Sequence, residues 1–322
     1  MGCSTPHVDQ LNDISRAIPV SIGKESNMMN LKPTRRASLA IGAVAALTAS
    51  FATLPTTAGA IASGGVSITE TNDGLVVTGS SDKDFIEIVL APDGAVGVRA
   101  FADNGHLVDR LMVDDFAGNL SVDLGENDDS LHVSGLELGA VKIKMGTGKD
   151  GVGIDKTSLS SLTVYGGEGD DYLRLREVEG ESAQIDTGKG KGRIEINESV
   201  FEVTNIATNT DDDRVTFSGS SLGAALIFTY SGNDRVIMNK ALLTYLHISL
   251  GEGDDNATIG FKDDLDPSHI NIYGEDGKDT LTIKTGFEII PQTVKFDGGA
   301  DHDTFNSPAV DIWSLLSVEE IT

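Results

Sequence analysis

The sequence predicts an all-β fold: a parallel β-solenoid, of the β-roll or β-helix kind, built from about ten coils of 21–24 residues and closed at its N-terminal end by a small β-meander. Three observations predict it. The first is a period. With Asp171 of the stretch GGEGDDYLRL (166–175) as position zero, steps of 21 reach Asp129, Asp150, Asp171, Gly192, Asp213, Asp234 and Asp255. Two steps of 24 then reach Asp279 and Asp303, and one step of 45 backwards reaches Asp84. Nine of these ten positions are Asp, and a fixed period in this range marks a stacked repeat architecture.

The second observation is alternation. Apolar residues stand two and four positions after zero, as in Leu131/Val133, Leu173/Leu175 and Val236/Met238. Others stand seven to nine positions before it, as in Val141/Ile143 and Leu246/Ile248. A period of two gives short strands with one buried face. The third is turn chemistry: Gly, Asn or Asp lies four and two residues before zero, as in Gly125/Asn127, and these residues tolerate the left-handed backbone of a tight turn. A weaker apolar group (Leu138, Leu159, Phe201, Leu222, Leu243) predicts a third short strand in each coil.

Taken in order, residues 1–62 are a leader. Lys32, Arg35 and Arg36 precede a 16-residue apolar run, 39–54, and Ala58-Gly59-Ala60 offers a cleavage site, so 29–60 is expected to be a bacterial signal peptide of the Sec or twin-arginine type. Residues 63–119 carry the Asp84 turn and two hairpin signals, Asp93-Gly94 and Asn104-Gly105, which predict the capping meander and first coil. Residues 120–314 are the regular solenoid. Residues 315–322, with Trp313 just before them, are expected to cap its other end.

Composition agrees with a thin aliphatic core: of 322 residues, 39% are hydrophobic and only 5% aromatic. The single cysteine is Cys3, so a chain without its leader has no disulfide or thiolate site. Removing the five basic and three acidic residues of 1–62 moves the formal net charge from −26 to −28. That balance argues against nucleic acid and anionic membrane as partners. The expectation is a secreted or cell-surface monomer with no membrane span after processing.

Parallel strands stack about 4.8 Å apart. Equivalent aspartates would then form a column of like charges, each pair repelling by about 0.9 kcal/mol even when hydrated. A hard divalent cation, calcium before magnesium, would neutralise it. The other reading is that each Asp accepts hydrogen bonds from turn N–H groups without metal, which Lys83, Lys149 and Lys278 just before zero favour.

The segment GGEGDDYLR (166–174) resembles the nonapeptide repeat of the RTX (haemolysin-type) family in full, and LGEGDDNAT (250–258), MGTGKDGVG (145–153) and LGENDDSLH (124–132) resemble it less completely. The resemblance implies calcium held between adjacent coils. By matching position its ligands would be Asp84, Asp129, Asp150, Asp171, Asp213, Asp234, Asp255, Asp279 and Asp303, with carbonyls from Gly146, Gly148, Gly167, Gly169, Gly251 and Gly253. One loop per coil, rather than tandem nonapeptides, implies a single calcium column, and GKGKGRIEI (188–196), with Gly192 at zero and Lys189 and Lys191 in the loop, implies a break in it.

No P-loop, dinucleotide fingerprint, HExxH or nucleophile elbow is present. Arg193, Arg214 and Arg235 each follow zero by one residue, with Arg174 nearby. Stacked, they would form a basic ladder able to grip an acidic glycan, or would pair with neighbours such as Glu195 and Asp213. The function expected is a calcium-dependent structural or interaction module, with a cell-surface polysaccharide or protein as partner. The alternative is a β-helix lyase or epimerase acting on acidic glycans; coils with almost no inserted loops count against catalysis.

Overall fold

The computed structural model describes residues 61–63, 65–103, 105–114, 116–261, 269–284, 294–306, 314–316 and 320–321. The chain divides into two units, Met1–Pro55 and Thr56–Thr322. The first lies outside the described residues, as do nearly all of the leader expected at 1–62 and Trp313.

Among its described residues the second unit is all β, a solenoid of about eight turns with coils of about 21 residues. Each coil contributes one strand to each of two parallel sheets. Sheet A contains Glu137–Thr147, Ser158–Glu168, Glu179–Asp186, Val200–Ala207 and Ser221–Phe228 in successive coils. Sheet B contains Ser130–Ser134, Gly151–Asp155, Tyr172–Arg176, Arg193–Asn197 and Arg214–Ser218. The register keeps the sequence period: Leu131 pairs with Val152, then Leu173, Ile194, Val215, Val236 and Ala257. The two longer steps follow as Ala257 to Leu281 to Phe305. In the first of them the extra residues fall between Asn256–Phe261 and His269–Asp276, because Met238 still pairs with Ile259 while Tyr245 pairs with His269.

The third strand expected in each coil is the beginning of the sheet A strand. In Ser158–Glu168, Leu159 and Leu162 point inward and the two residues between them outward. Two successive outward residues break the alternation and bend the strand without ending it. The opposite corner, from sheet B back to sheet A, turns through a left-handed residue in six successive coils: Gly135, Lys156, Glu177, Glu198, Gly219 and Lys240, with φ between 50° and 76°. The next residue points inward. Ser199 and Ser220 use their hydroxyls there to accept the N–H groups of Val178 and Ser199, at 3.1 and 3.2 Å.

The 45-residue step at Asp84 is an inserted hairpin. Strands Val96–Ala102 and Leu107–Val113 extend sheet B antiparallel from Asp84–Leu90. Val66–Thr71 and Ile61–Ser63 extend sheet A antiparallel from Gly74–Thr78. Neither sheet of the first coil presents a bare parallel edge, which would template association.

The core is one continuous file of aliphatic rows. Val133, Ile154, Leu175, Ile196, Phe217, Met238 and Ile259 form one row with no exposure. Residue volumes compensate between coils. A methyl group on Gly180 would lie 2.7 Å from Leu159 Cδ1 and 3.0 Å from Phe201 Cε1, so the Phe201 ring takes the space that Gly180 leaves. Close packing of this kind makes large-to-small changes costly. Phe217→Ala should lower the unfolding free energy by about 3–5 kcal/mol in a denaturant titration; a change below about 1 kcal/mol would contradict its central place in the row.

Candidate functional site

The turns from sheet A to sheet B gather the residues that the period singles out. Gly167 and Gly169 have φ of 111° and 132°. A methyl group on Gly169 would lie 1.6 Å from the Gly148 carbonyl oxygen, so backbone angle and close stacking both demand glycine there. This tight stacking brings Asp84, Asp129, Asp150, Asp171, Asp213, Asp234, Asp255, Asp279 and Asp303 into one inward-facing column, none more than 3% exposed.

The two oxygens of each carboxylate have different fates. Oδ1 accepts the backbone N–H of the zero residue one coil back: Asp84 N donates to Asp129, Asp129 to Asp150, Asp150 to Asp171, Gly192 to Asp213, Asp213 to Asp234, Asp234 to Asp255, Asp255 to Asp279 and Asp279 to Asp303, over 2.5–3.0 Å. The ladder lapses once, because Gly192 has no carboxylate to offer Asp171; the Thr187 side chain fills that space, 2.6 Å from where a Gly192 methyl would stand. Beyond Asp84, which accepts Ser80 N–H of its own turn, the aspartates thus cap backbone N–H groups of the neighbouring coil.

Oδ2 is buried without a hydrogen-bond partner in Asp129, Asp150, Asp171, Asp213, Asp234, Asp255 and Asp279. The Thr208 and Thr229 hydroxyls lie beside Asp213 and Asp234, yet they donate to the Thr229 and Leu250 carbonyls. Asp84 differs, its Oδ2 accepting Ser80 N at 2.6 Å and Ser80 Oγ at 2.9 Å. A buried carboxylate oxygen with no donor is costly. Loss of hydration is the main force pushing these carboxyl groups up, to about 6 for Asp150 and Asp234, about 7 for Asp129, Asp171, Asp213 and Asp279, and about 8 for Asp255. The donated N–H opposes the rise, and repulsion between acids adds to it.

Outside this column runs a second, one residue earlier, of which the sequence analysis singled out the lysines but not the acids that alternate with them. Its members are Lys83, Asp128, Lys149, Asp170, Lys191, Asp212, Asn233, Asp254 and Lys278, nearly alternating in sign. Asp128 accepts Lys149 N, Asp170 accepts Lys191 N, Asp212 accepts Asn233 N and Asp254 accepts Lys278 N, over 2.8–3.1 Å. The Lys149 ammonium lies 3.3 Å from Asp170, and that of Lys191 lies 2.8 Å from Asp212. Asp212 is accordingly held down at about 2 by Lys191 and Asn233. The signal was legible as opposite charges 21 residues apart. The turn tips are therefore neutralised by side chains, and the inner column is not.

Arg193, Arg214 and Arg235 stack in register on the outer face of sheet B. Arg174 stands in the adjacent outward row, in register with Glu195. Arg193 Nε donates to Glu195 at 3.0 Å, and Arg174 and Arg176 reach the buried Asp155 at 3.1 and 2.9 Å. Asp213, named as a pairing partner from sequence, faces inward and takes no part. Among the described residues, no three His, Cys, Asp or Glu side chains form a metal-binding group.

Fold and site together define a parallel β-solenoid with an internal ladder of buried aspartates. No protein-family model matches the chain, and no curated protein or solved structure matches it either.

The raised carboxyl groups fix the sign of a pH dependence. Their folded values exceed the unfolded value near 3.9, so the folded state binds more protons between about pH 4 and 8. Without metal, the unfolding free energy should rise as pH falls from 8 towards 5, and level off below about 4. A denaturation series in chelator that shows stability falling over the interval from 8 to 6 would contradict the burial of uncompensated carboxylates.

Proposed function

We propose that the chain is an exported, calcium-stabilised β-solenoid that serves as a structural or interaction module at the cell surface, in the manner of an RTX-type repeat with one loop per coil. The observation that carries the reading is the column of buried carboxylate oxygens with no donor. A cation or a proton must meet that need, and calcium suits an all-oxygen site of carboxylates and turn carbonyls.

The turns do not fit a cation equally. Where the residue five before the aspartate is glycine, the carboxylate and a carbonyl oxygen of the next coil close in on the space that a side chain would take. A methyl group on Gly274 would lie 2.2 Å from Asp279 Oδ2 and 2.3 Å from the Gly298 carbonyl oxygen, so two acceptors stand together there, and calcium takes all-oxygen donors of this kind. The Gly166–Asp171 turn repeats this, with the Thr187 carbonyl oxygen and Asp171 Oδ2 2.0 and 2.8 Å from a Gly166 methyl, although Met145, Val164, Leu173 and Ile185 line the small void beside them. Where that residue is Leu124, Met145 or Leu250, the corner is apolar and buried, and protonation is the better fit. Calcium is assigned first to the Asp171 and Asp279 turns, where glycine meets an Oδ2 with no donor, and the nine aspartates are not nine equal sites.

At about 1 mM calcium and a dissociation constant near 0.1 mM, each occupied site would add about 1.4 kcal/mol. That increment couples folding to an extracellular calcium level. Calcium added to chelator-stripped protein at pH 8 should raise the thermal midpoint by several degrees, and magnesium should do less; identical midpoints with and without calcium would exclude the reading. Asp279→Asn keeps an acceptor and removes a buried charge. It should stabilise the protein in chelator while reducing the calcium increment, and a variant that loses stability in chelator but keeps the full increment would place the ion elsewhere.

A further inference from the structure

One stretch of the sheet B face is unlike the rest. Gly151 and Gly153 are the outward residues of one strand, in register with Ser130 and His132 on one side and Tyr172 and Arg174 on the other. A methyl group on Gly151 would touch only Ser130 Oγ, at 3.9 Å. At Gly151 a notch about two strand spacings wide, near 10 Å, therefore opens in the face; above Gly153 it is closed by His132 Nδ1 and the Arg174 guanidinium, 3.5 and 3.6 Å from where a methyl would stand. An open cavity of about 680 Å³ lies beside it along the turns, but Asp128, Asp129, Asp150, Asp170 and Asp171 line that cavity together with Lys149 and Lys191, so it bounds the notch on the turn side and is no part of an anion site.

The walls are fixed in place. Arg193 lies over the Tyr172 ring, 5.4 Å from its centroid, and the Tyr172 hydroxyl donates to Glu195 at 2.9 Å. The ring is thus held from the Arg193 side, and its other side borders the Gly151 gap. Arg174 and Arg176 are pinned by Asp155, which is 3% exposed. Charge on this face opposes that of the molecule. Of the seven arginines after residue 62, five (Arg174, Arg176, Arg193, Arg214 and Arg235) stand on it, while the chain carries a net charge of −26. From Gly151–Asp155 to Arg235 the facing acids are Asp155 and Glu195. Arg214 and Arg235 make no ion pair among the described residues.

We infer that the outer face of sheet B binds a linear acidic glycan, with one uronate ring in the Gly151 notch against Tyr172. Carboxylates farther along the chain meet Arg214 and Arg235, three and four coils on from Gly151, roughly 14 and 19 Å along the solenoid axis. Three features favour sugar over an acidic peptide: a flat aromatic wall, a ring-sized notch and a mixed lining of donors and acceptors. The arginines supply planar, two-pronged recognition of carboxylate. The site is separate from the inward aspartate column and does not rest on calcium in the turns.

The test is calorimetric titration of the whole chain with hexagalacturonate and, as the neutral control, maltohexaose. Hexagalacturonate should bind with an affinity that falls as salt rises, and maltohexaose at least tenfold more weakly. Gly151→Val fills the notch in ordinary strand geometry and should weaken hexagalacturonate at least tenfold with an unchanged circular dichroism spectrum. Arg214→Gln with Arg235→Gln, exposed changes that leave the core untouched, should weaken it at least fivefold and flatten the salt dependence. Absence of hexagalacturonate binding, equal binding of the two sugars, or full affinity in both variants would overturn the inference.

Discussion

Everything in this molecule depends on one constraint: a solenoid repeats its turn in register, so a residue placed in the turn is placed beside its own copies. For the aspartate at position zero the copy lies one strand spacing away and faces inward. Beyond Asp84, each carboxylate gains a strong acceptor role, capping an N–H of the neighbouring coil, and this ties coil to coil along the turn edge. In seven of them, from Asp129 to Asp279, the same geometry buries the second oxygen where nothing donates to it. Stacking order and charge burden are two results of one placement.

The chain treats its two turn columns in opposite ways. At the tips, lysine and aspartate alternate over most coils, so Lys149 and Lys191 meet Asp170 and Asp212, and Asp128, Asp170, Asp212 and Asp254 each accept a backbone N–H of the next tip. Within the turn, aspartate follows aspartate, relieved only where Gly192 stands in a space filled by Thr187. Charges that could be balanced by sequence choice are balanced at the surface. The inner column is left to be neutralised by what the solution provides, a proton or a metal ion. The far corner shows what a neutral solution looks like: Ser199 and Ser220 make the same coil-to-coil bond with hydroxyls and bury no charge.

Much of this was legible in the sequence. The period located every aspartate of the column, and the alternation of Leu173/Leu175 and its equivalents located the core rows. Two features were not legible. The third apolar group read as a separate strand because residues 160 and 161 interrupt the alternation, and a bend and a break look alike until the pairing is known. The partition of each carboxylate into a satisfied and an orphaned oxygen depends on the distance to a backbone N–H in another coil, which no spacing encodes. Asp155 illustrates the same limit: its partners Arg174 and Arg176 are 19 and 21 residues away, and only the stacking makes them neighbours. The alternating tip column was visible as signs 21 residues apart, but it becomes meaningful only once equivalent positions are known to touch.

The central claim is that proton and calcium compete for the same buried carboxylates. Its most direct test is to count protons released when calcium binds the metal-free protein in weak buffer at pH 7. The account predicts measurable release that shrinks towards pH 9, where the column is already ionised. Calcium binding without proton release at pH 7, or no calcium binding at millimolar concentration, would contradict it.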